Sequence, residues 1–197
     1  MRALLVGLIW LATPALATQD AWPALYDVTG VAADDVLNIR ATPDGGAEIL
    51  GTLPPSSLSV EVIAPNDMET WGLVNVGERT GWVSLQFLVR QPGQWLGSFP
   101  QVTTCYGTEP FWSLDLTGNP SFSTPEGQTQ ATVLSRDTAP NRRDRHGLTM
   151  WLEGQGLLQA VIAQTECSDG MSDVQWGLEI TAFRTGDMLS GCCSLSR

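Results

Sequence analysis

Apolar and polar residues alternate in short runs along most of the chain, and turn-forming clusters close nearly every run. In residues 36–40, Leu37 and Ile39 point one way while Asn38 and Arg40 point the other, the period-2 signature of a half-buried strand. Residues 25–28, 48–53, 58–63, 71–76, 79–83 and 85–89 continue the series. Pro43-Asp44-Gly45-Gly46, Pro54-Pro55, Pro65-Asn66-Asp67 and Gly77-Glu78 separate the runs, because Pro presets φ and Gly permits positive φ. Short strands at intervals of about 8–12 residues, without helical periodicity, predict an all-β sandwich or barrel. A barrel is favoured because it leaves no strand edge unpaired.

The second half follows the same rule. After Pro110, the residues Trp112, Leu114 and Leu116 share one face, and Gly118-Asn119-Pro120 turns the chain. Residues 130–134 read as a short strand. Residues 136–147, with four Arg and His146, read as a solvated polar loop. Residues 148–152 and 157–163 form a hairpin about Glu153-Gly154-Gln155-Gly156, residues 167–173 a loop, and residues 176–182 and 188–193 the last strands. This is a second small antiparallel β-barrel. Gln91-Pro92-Gly93-Gln94 begins a linker over residues 91–100, which separates a first unit, 24–90, from a second, 101–197. The linker is short, so the units are expected to touch, with Trp95, Leu96 and Phe99 as interface or as cover for the second unit.

Residues 1–17 change the compartment. Arg2 precedes an apolar run, and Ala15-Leu16-Ala17 is the small-x-small pattern that a signal peptidase reads. The run is too short for a membrane anchor, which needs roughly 20 apolar residues. Thr18 follows the cleavage site where a lipoprotein would carry cysteine. The expected location is periplasmic or secreted, with no membrane span in the mature chain. The charge is acidic, 21 Asp and Glu against 10 basic residues, none of them Lys, for a net −11 over 197 residues. Such a chain offers no basic field for nucleic acid.

The four cysteines, Cys105, Cys167, Cys192 and Cys193, all lie in the second half. An even count in an exported chain reads as a disulfide framework. A zinc site would need short Cys spacers and more histidine than the single His146, so no metal and no cofactor is expected. Four cysteines permit three pairings. Neighbours Cys192 and Cys193 would close a strained eight-membered ring, so each is expected to pair with a distant partner. Adjacent strand residues face opposite ways, which sends one bridge to the opening strand and one to the Asp169 loop. Cys105–Cys193 with Cys167–Cys192 is preferred, and the other distant pairing stays open.

Two sets of motifs carry resemblances. Leu37-Asn38-Ile39-Arg40 with Pro43, Gly51-Thr52-Leu53, Trp71 with Val74 and Val76, and Gly77 through Thr80-Gly81-Trp82-Val83 to Leu88 resemble the bacterial SH3 family over about 65 residues. The resemblance implies an SH3-like small barrel that binds peptidoglycan, peptides or a neighbouring domain through variable loops. Leu37, Ile39, Leu53, Val60, Val62, Val74, Val76, Val83 and Leu88 are expected in its core, Gly81 where a side chain does not fit, and Trp71 and Trp82 partly at the surface. In the second unit, Cys105-Tyr106-Gly107-Thr108-Glu109-Pro110-Phe111-Trp112, Cys167-Ser168-Asp169-Gly170-Met171-Ser172-Asp173 and Gly191-Cys192-Cys193 are similar to blocks of an uncharacterised family of bacterial envelope proteins and lipoproteins. That family supplies no activity.

Candidate chemistry is sparse. Cys105 and His146 are the residue types of a wall-hydrolysing thiol peptidase. Against this, Cys105 precedes a β-patterned stretch rather than the helix N-terminus that lowers a thiol pKa. Glu109, Asp169 and Asp173 offer carboxylates for glycosidase chemistry, yet Asp169-Gly170 reads first as a turn capped by its own Asp. Arg136, Arg142, Arg143 and Arg145 form the one basic island; Arg142, Arg143 and Arg145 are candidate anion ligands, or a solvated loop balancing Asp137 and Asp144. The reading is a non-enzymatic exported envelope protein with no catalytic residues. Its candidate ligand-binding residues are Trp71, Trp82 and the three arginines, and its partner is peptidoglycan or an envelope protein. The alternatives are a small-ligand-binding or inhibitor-like β-domain, and a cell-wall hydrolase.

Overall fold

In the computed structural model, which describes residues 19–196, the seven alternating runs of the first half become strands, and Ala64–Pro65, next to the Pro65-Asn66-Asp67 turn, adds an eighth. They are β1 (Ala24–Val28), β2 (Leu37–Arg40), β3 (Ile49–Leu53), β4 (Val60–Val62), β5 (Ala64–Pro65), β6 (Trp71–Val76), β7 (Arg79–Ser84) and β8 (Leu88–Arg90). A 3-10 turn, Leu85–Phe87, precedes β8. The proposed export signal, residues 1–17, lies outside the described residues. The strands form a five-stranded sheet, β3-β2-β7-β6-β5, and a three-stranded sheet, β4-β1-β8. The chain crosses from one sheet to the other at Ile63, whose N–H donates to Leu73 O at 2.8 Å.

Leu37, Ile39, Val62, Val74, Val83 and Leu88 are buried between the sheets, and Leu53, Val60 and Val76 pack half-buried against them. Each fully buried aliphatic side chain contributes on the order of 1.5–3 kcal/mol. Gly81 is a packing requirement: a Cβ there would lie 2.5 Å from Ile39 Cγ2 and 3.2 Å from Arg40 O. Gly72 plays the same part on the facing strand, where a Cβ would meet Val62 Cγ1 at 2.5 Å.

The second half is a closed barrel of eight antiparallel strands, each paired with its sequence neighbours and the first with the last. They are β9 (Thr104–Thr108), β10 (Phe111–Asp115), β11 (Ser121–Thr124), β12 (Gly127–Ala139), β13 (Arg142–Leu152), β14 (Gly156–Cys167), β15 (Trp176–Arg184) and β16 (Asp187–Ser194). Leu114, Phe122, Leu148, Met150, Ile162 and Ile180 fill the interior, so the barrel holds a packed core and no channel.

The region 136–147 corrects the sequence reading. It is no loop: β12 and β13 run through it as one long hairpin that turns at Pro140 and Asn141. Asp137 lies opposite Gly147 and Thr138 opposite His146. Backbone pairing with neighbouring strands carries this polar segment as strand, overriding a composition that reads as solvated. One short strand, β11, also went unread, whereas β9, five residues with Gly107 within it, is the opening strand that carries Cys105.

The stretch read as a linker is pinned. Gln94 is buried, its Oε1 accepting Leu25 N–H at 2.6 Å and its Nε2 donating to Leu25 O at 2.9 Å. Phe99 packs against the barrel core. Three further contacts join the halves. Glu61 Oε2 on β4 accepts the Ser194 hydroxyl and the Leu195 and Ser196 amides, the amides at 3.1 and 3.2 Å. Asn75 on β6 donates to Gln175 O at 2.8 Å and accepts Gln175 N–H at 3.3 Å. Pro23 lies so close to Gly177 that a Cβ there would meet Pro23 Cδ at 2.7 Å.

Candidate functional site

The first half presents a groove of about 530 Å³ between the segment joining β1 to β2 and the outer face of the five-stranded sheet. Trp71, Phe87, Val31 and Val36 give it apolar walls; Asp35 and Arg40 put opposite charges into the same lining. The local sequence explains each placement. Trp71 opens β6 on the face opposite Gly72, and pairing with Ser84 fixes its height. Arg40 ends β2, and its Nη1 donates to Ala47 O at 2.7 Å, which steadies the guanidinium above the β2–β3 turn. Asp35 accepts its neighbour Val36 N–H at 2.8 Å. Trp82 stands on the same sheet face, opposite Arg40 and Leu73, but outside the groove lining. Of the two tryptophans singled out in the sequence, the fold places one in the groove. Phe87, Asp35 and Arg40 were missed; Arg40 lay inside a quoted motif, but nothing local marks the other two.

The basic island is spread over the β12–β13 hairpin. Arg142 and Arg145 converge on one carboxylate, at 3.0 and 2.8 Å from Asp144 Oδ2. That carboxyl is held down to about 2, first by its hydrogen bond from Arg142. Arg143 reaches away and donates to Leu96 O at 2.5 Å, while Arg136 lies over the Phe99 ring at 5.7 Å. Arg142 and Arg145 thus already hold a carboxylate partner, and the other two brace the 91–100 segment.

His146 is the second correction. It is 1% exposed, not solvated. It shares the inward row with Leu148, Met150 and Leu152 on β13, a period-2 signal present in the sequence. Its Nδ1 pairs with the Thr138 hydroxyl at 2.9 Å, and Phe99 packs against it edge-on at 5.6 Å. Burial pulls the imidazole below its ordinary value; Asp144 and Gln164 oppose that and Arg145 adds to it. The unfolded chain therefore takes up the proton first. This contribution to stability is full above the unfolded value near 6.5, falls as pH drops through the window down to the folded value, and is constant below it. Between pH 7.5 and 5, His146→Leu should lose less of its urea midpoint than the wild type does. Parallel losses in the two proteins would remove His146 as the titrating group.

The three cysteine-bearing blocks meet at one place. Cys105 joins Cys193 and Cys167 joins Cys192, with Cα separations of 4.0 and 5.7 Å. The first bridge is inside the barrel core and the second is outside it, beneath the 168–175 loop. Cys105 has no free thiol, so a cysteine–histidine pair with His146 does not exist here. An outer cleft of about 350 Å³ runs beside Cys167–Cys192, lined by Tyr106 and by Glu109, Glu166, Asp169 and Glu179. Burial pushes the Tyr106 phenol up to about 12. Asp169 is a turn residue: its Oδ1 accepts the amides of Met171 at 2.9 Å and Ser172 at 3.3 Å. Asp173 lies in a separate cleft with Arg79. No set of three or more His, Cys, Asp or Glu stands in a metal-holding arrangement among the described residues.

Together these features define a two-part all-β protein with a closed eight-stranded, disulfide-bonded barrel. No protein-family model, curated protein or solved structure matches the chain.

Proposed function

We propose that the protein is an exported, non-enzymatic envelope protein whose N-terminal unit holds short cell-wall peptides in the Trp71 groove. One observation carries the reading: aromatic walls and two opposite charges, Asp35 and Arg40, share a groove of about 530 Å³. Binding sites of this kind combine apolar walls with a few convergent polar groups. A stem peptide of the wall bears both ammonium and carboxylate groups and suits such a lining. The resemblance of residues 24–90 to bacterial SH3 domains supports the assignment. So do the two disulfides, which persist in an oxidising compartment. The barrel, on this reading, is cargo that the first unit holds at the wall.

Cosedimentation with purified sacculi tests it. Trp71→Ala should raise the apparent Kd about tenfold, the scale of a buried aromatic anchor, while Trp82→Ala should change it far less. Sedimentation of the Trp71 variant equal to wild type removes the groove. Clearing of a sacculus suspension by the wild type would replace the reading with a wall hydrolase.

A further inference from the structure

The two ends of the barrel differ in cover and in charge. In this up-and-down topology the β9–β10, β11–β12, β13–β14 and β15–β16 turns lie at one end. The opposite end carries the β14–β15 loop, the arginine-bearing β12–β13 hairpin and the end of β16, where Gln175 and residues 194–196 meet the N-terminal unit. Among the described residues, the turn end has no such cover. It nevertheless exposes a run of large apolar side chains across adjacent strands. Trp151 on β13 lies opposite Leu157 on β14, and Phe183 on β15 opposite Met188 on β16. All four are exposed, Met188 to 68%. Met188 and Phe111, the latter 59% exposed, then flank a groove of about 600 Å³ at the same end. Apolar collars of this extent on a single chain mark contact surfaces.

Charge decides the occupant. Glu126 stands in the groove lining and Glu153 in the β13–β14 turn beside Trp151; neither forms an ion pair among the described residues. Arg184, the cation in this groove lining, pairs with Asp187 at 3.0 Å and Gln155 at 3.0 Å and also attracts the Glu126 carboxylate from beyond ion-pair distance. With Asp187 and Glu126 against one arginine, the lining stays net negative. A second copy would bring the same acidic rim against itself. An anionic lipid surface would be repelled by the rim and by the net charge of −11. We infer that the turn end of the barrel docks a basic protein, whose cationic segment carries an aromatic or aliphatic anchor into the Phe111–Met188 groove. The apolar anchor supplies affinity; the acidic rim steers the partner and excludes acidic ones. The surface is independent of the Trp71 groove.

The test uses the whole protein and a defined probe, an arginine-rich 15-residue peptide with one central phenylalanine. Calorimetric titration and amide chemical-shift mapping are read together. Shifts should gather in residues 111–112, 124, 126–127, 151–157 and 183–189. Met188→Ser, Glu126→Gln with Glu153→Gln, and loss of the peptide's phenylalanine should each weaken binding about tenfold or more. Trp71→Ala should leave it unchanged, so failure here and failure of wall binding are told apart. Met188 is exposed and outside the core, and the Glu→Gln pair adds no bulk, so at least one variant keeps the fold. Equal weakening by Asp34→Asn with Asp35→Asn would show unspecific attraction to an acidic protein and overturn the inference. Absence of binding at millimolar peptide overturns it as well. So does cosedimentation with neutral phosphatidylcholine vesicles that Phe183→Ser abolishes, which would make the collar a lipid contact.

Discussion

Gly191→Ala should open the seam that closes the barrel. A Cβ at Gly191 would stand 2.1 Å from Tyr106 O, 2.7 Å from Tyr106 C and 2.9 Å from Trp112 Cζ2. Two of these atoms are backbone on β9, so no rotamer change relieves the clash. β9 and β16 share a short ladder, Cys192 opposite Tyr106 and Ser194 opposite Thr104, and the inserted methyl must push it apart. Overpacking against movable side chains costs about 1–3 kcal/mol, and a rigid backbone contact belongs at or above the top of that range. For a unit of this size the melting midpoint should fall by more than about 10 °C. Gly45→Ala is the control, because a Cβ there meets nothing within 4 Å. Thermal unfolding by circular dichroism checks both. A Gly191→Ala midpoint within 2 °C of wild type, on the scale of roughly 4–8 °C per kcal/mol, would mean the seam yields easily.

The two disulfides should rank by the loop each closes. Cys105–Cys193 spans 88 residues of sequence and Cys167–Cys192 spans 25. Chain entropy assigns about 4.6 kcal/mol to the first and about 3.5 kcal/mol to the second. Cys105 and Cys193 are also fully buried in the barrel core, so their replacement removes packing as well. Cys105→Ala with Cys193→Ala should lower the urea midpoint more than Cys167→Ala with Cys192→Ala, under non-reducing conditions. The reverse order would show that the 168–175 loop, tied by the outer bridge, stabilises the protein more than the entropy of the longer loop.

Both predictions concern a seam that the sequence only partly announced. The opposite facing of Cys192 and Cys193 follows from strand geometry, which is why each finds a distant partner. Which distant partner depends on β16 lying next to β9, a pairing between the two ends of the unit that no local pattern encodes. The same limit explains the sites. Trp71 stood out because it belongs, with Val74 and Val76, to the blocks that resemble bacterial SH3 domains. Phe87 and Asp35 join it only after the β1–β2 segment folds over the sheet. The collar was less legible still. Alternation already sets Met150 and Trp151 on opposite faces, with Met150 inward at 0% exposure. That the outer face, with Trp151, Leu157, Phe183 and Met188 together, is left uncovered follows only from how the closed barrel sets its strands side by side.

His146 shows the opposite failure, a local signal overridden in the reading. Its alternation with Leu148, Met150 and Leu152 was in plain view, yet four nearby arginines made the stretch read as a solvated loop. Charges at a barrel end are tolerated on strand backbone because their side chains reach solvent or one another, as Arg142, Arg145 and Asp144 do.

The sequence by itself determined the all-β class, most of the strands and turns, the core of the first unit, and the need for long-range disulfides. These rest on period-2 alternation, turn chemistry and the geometry of neighbouring residues, all local. Tertiary structure alone decided which strands meet, where grooves form, and which apolar side chains are left outside. Those depend on closing a ladder between residues as distant as Cys105 and Cys193, and burial is a property of the closed ladder rather than of any one strand.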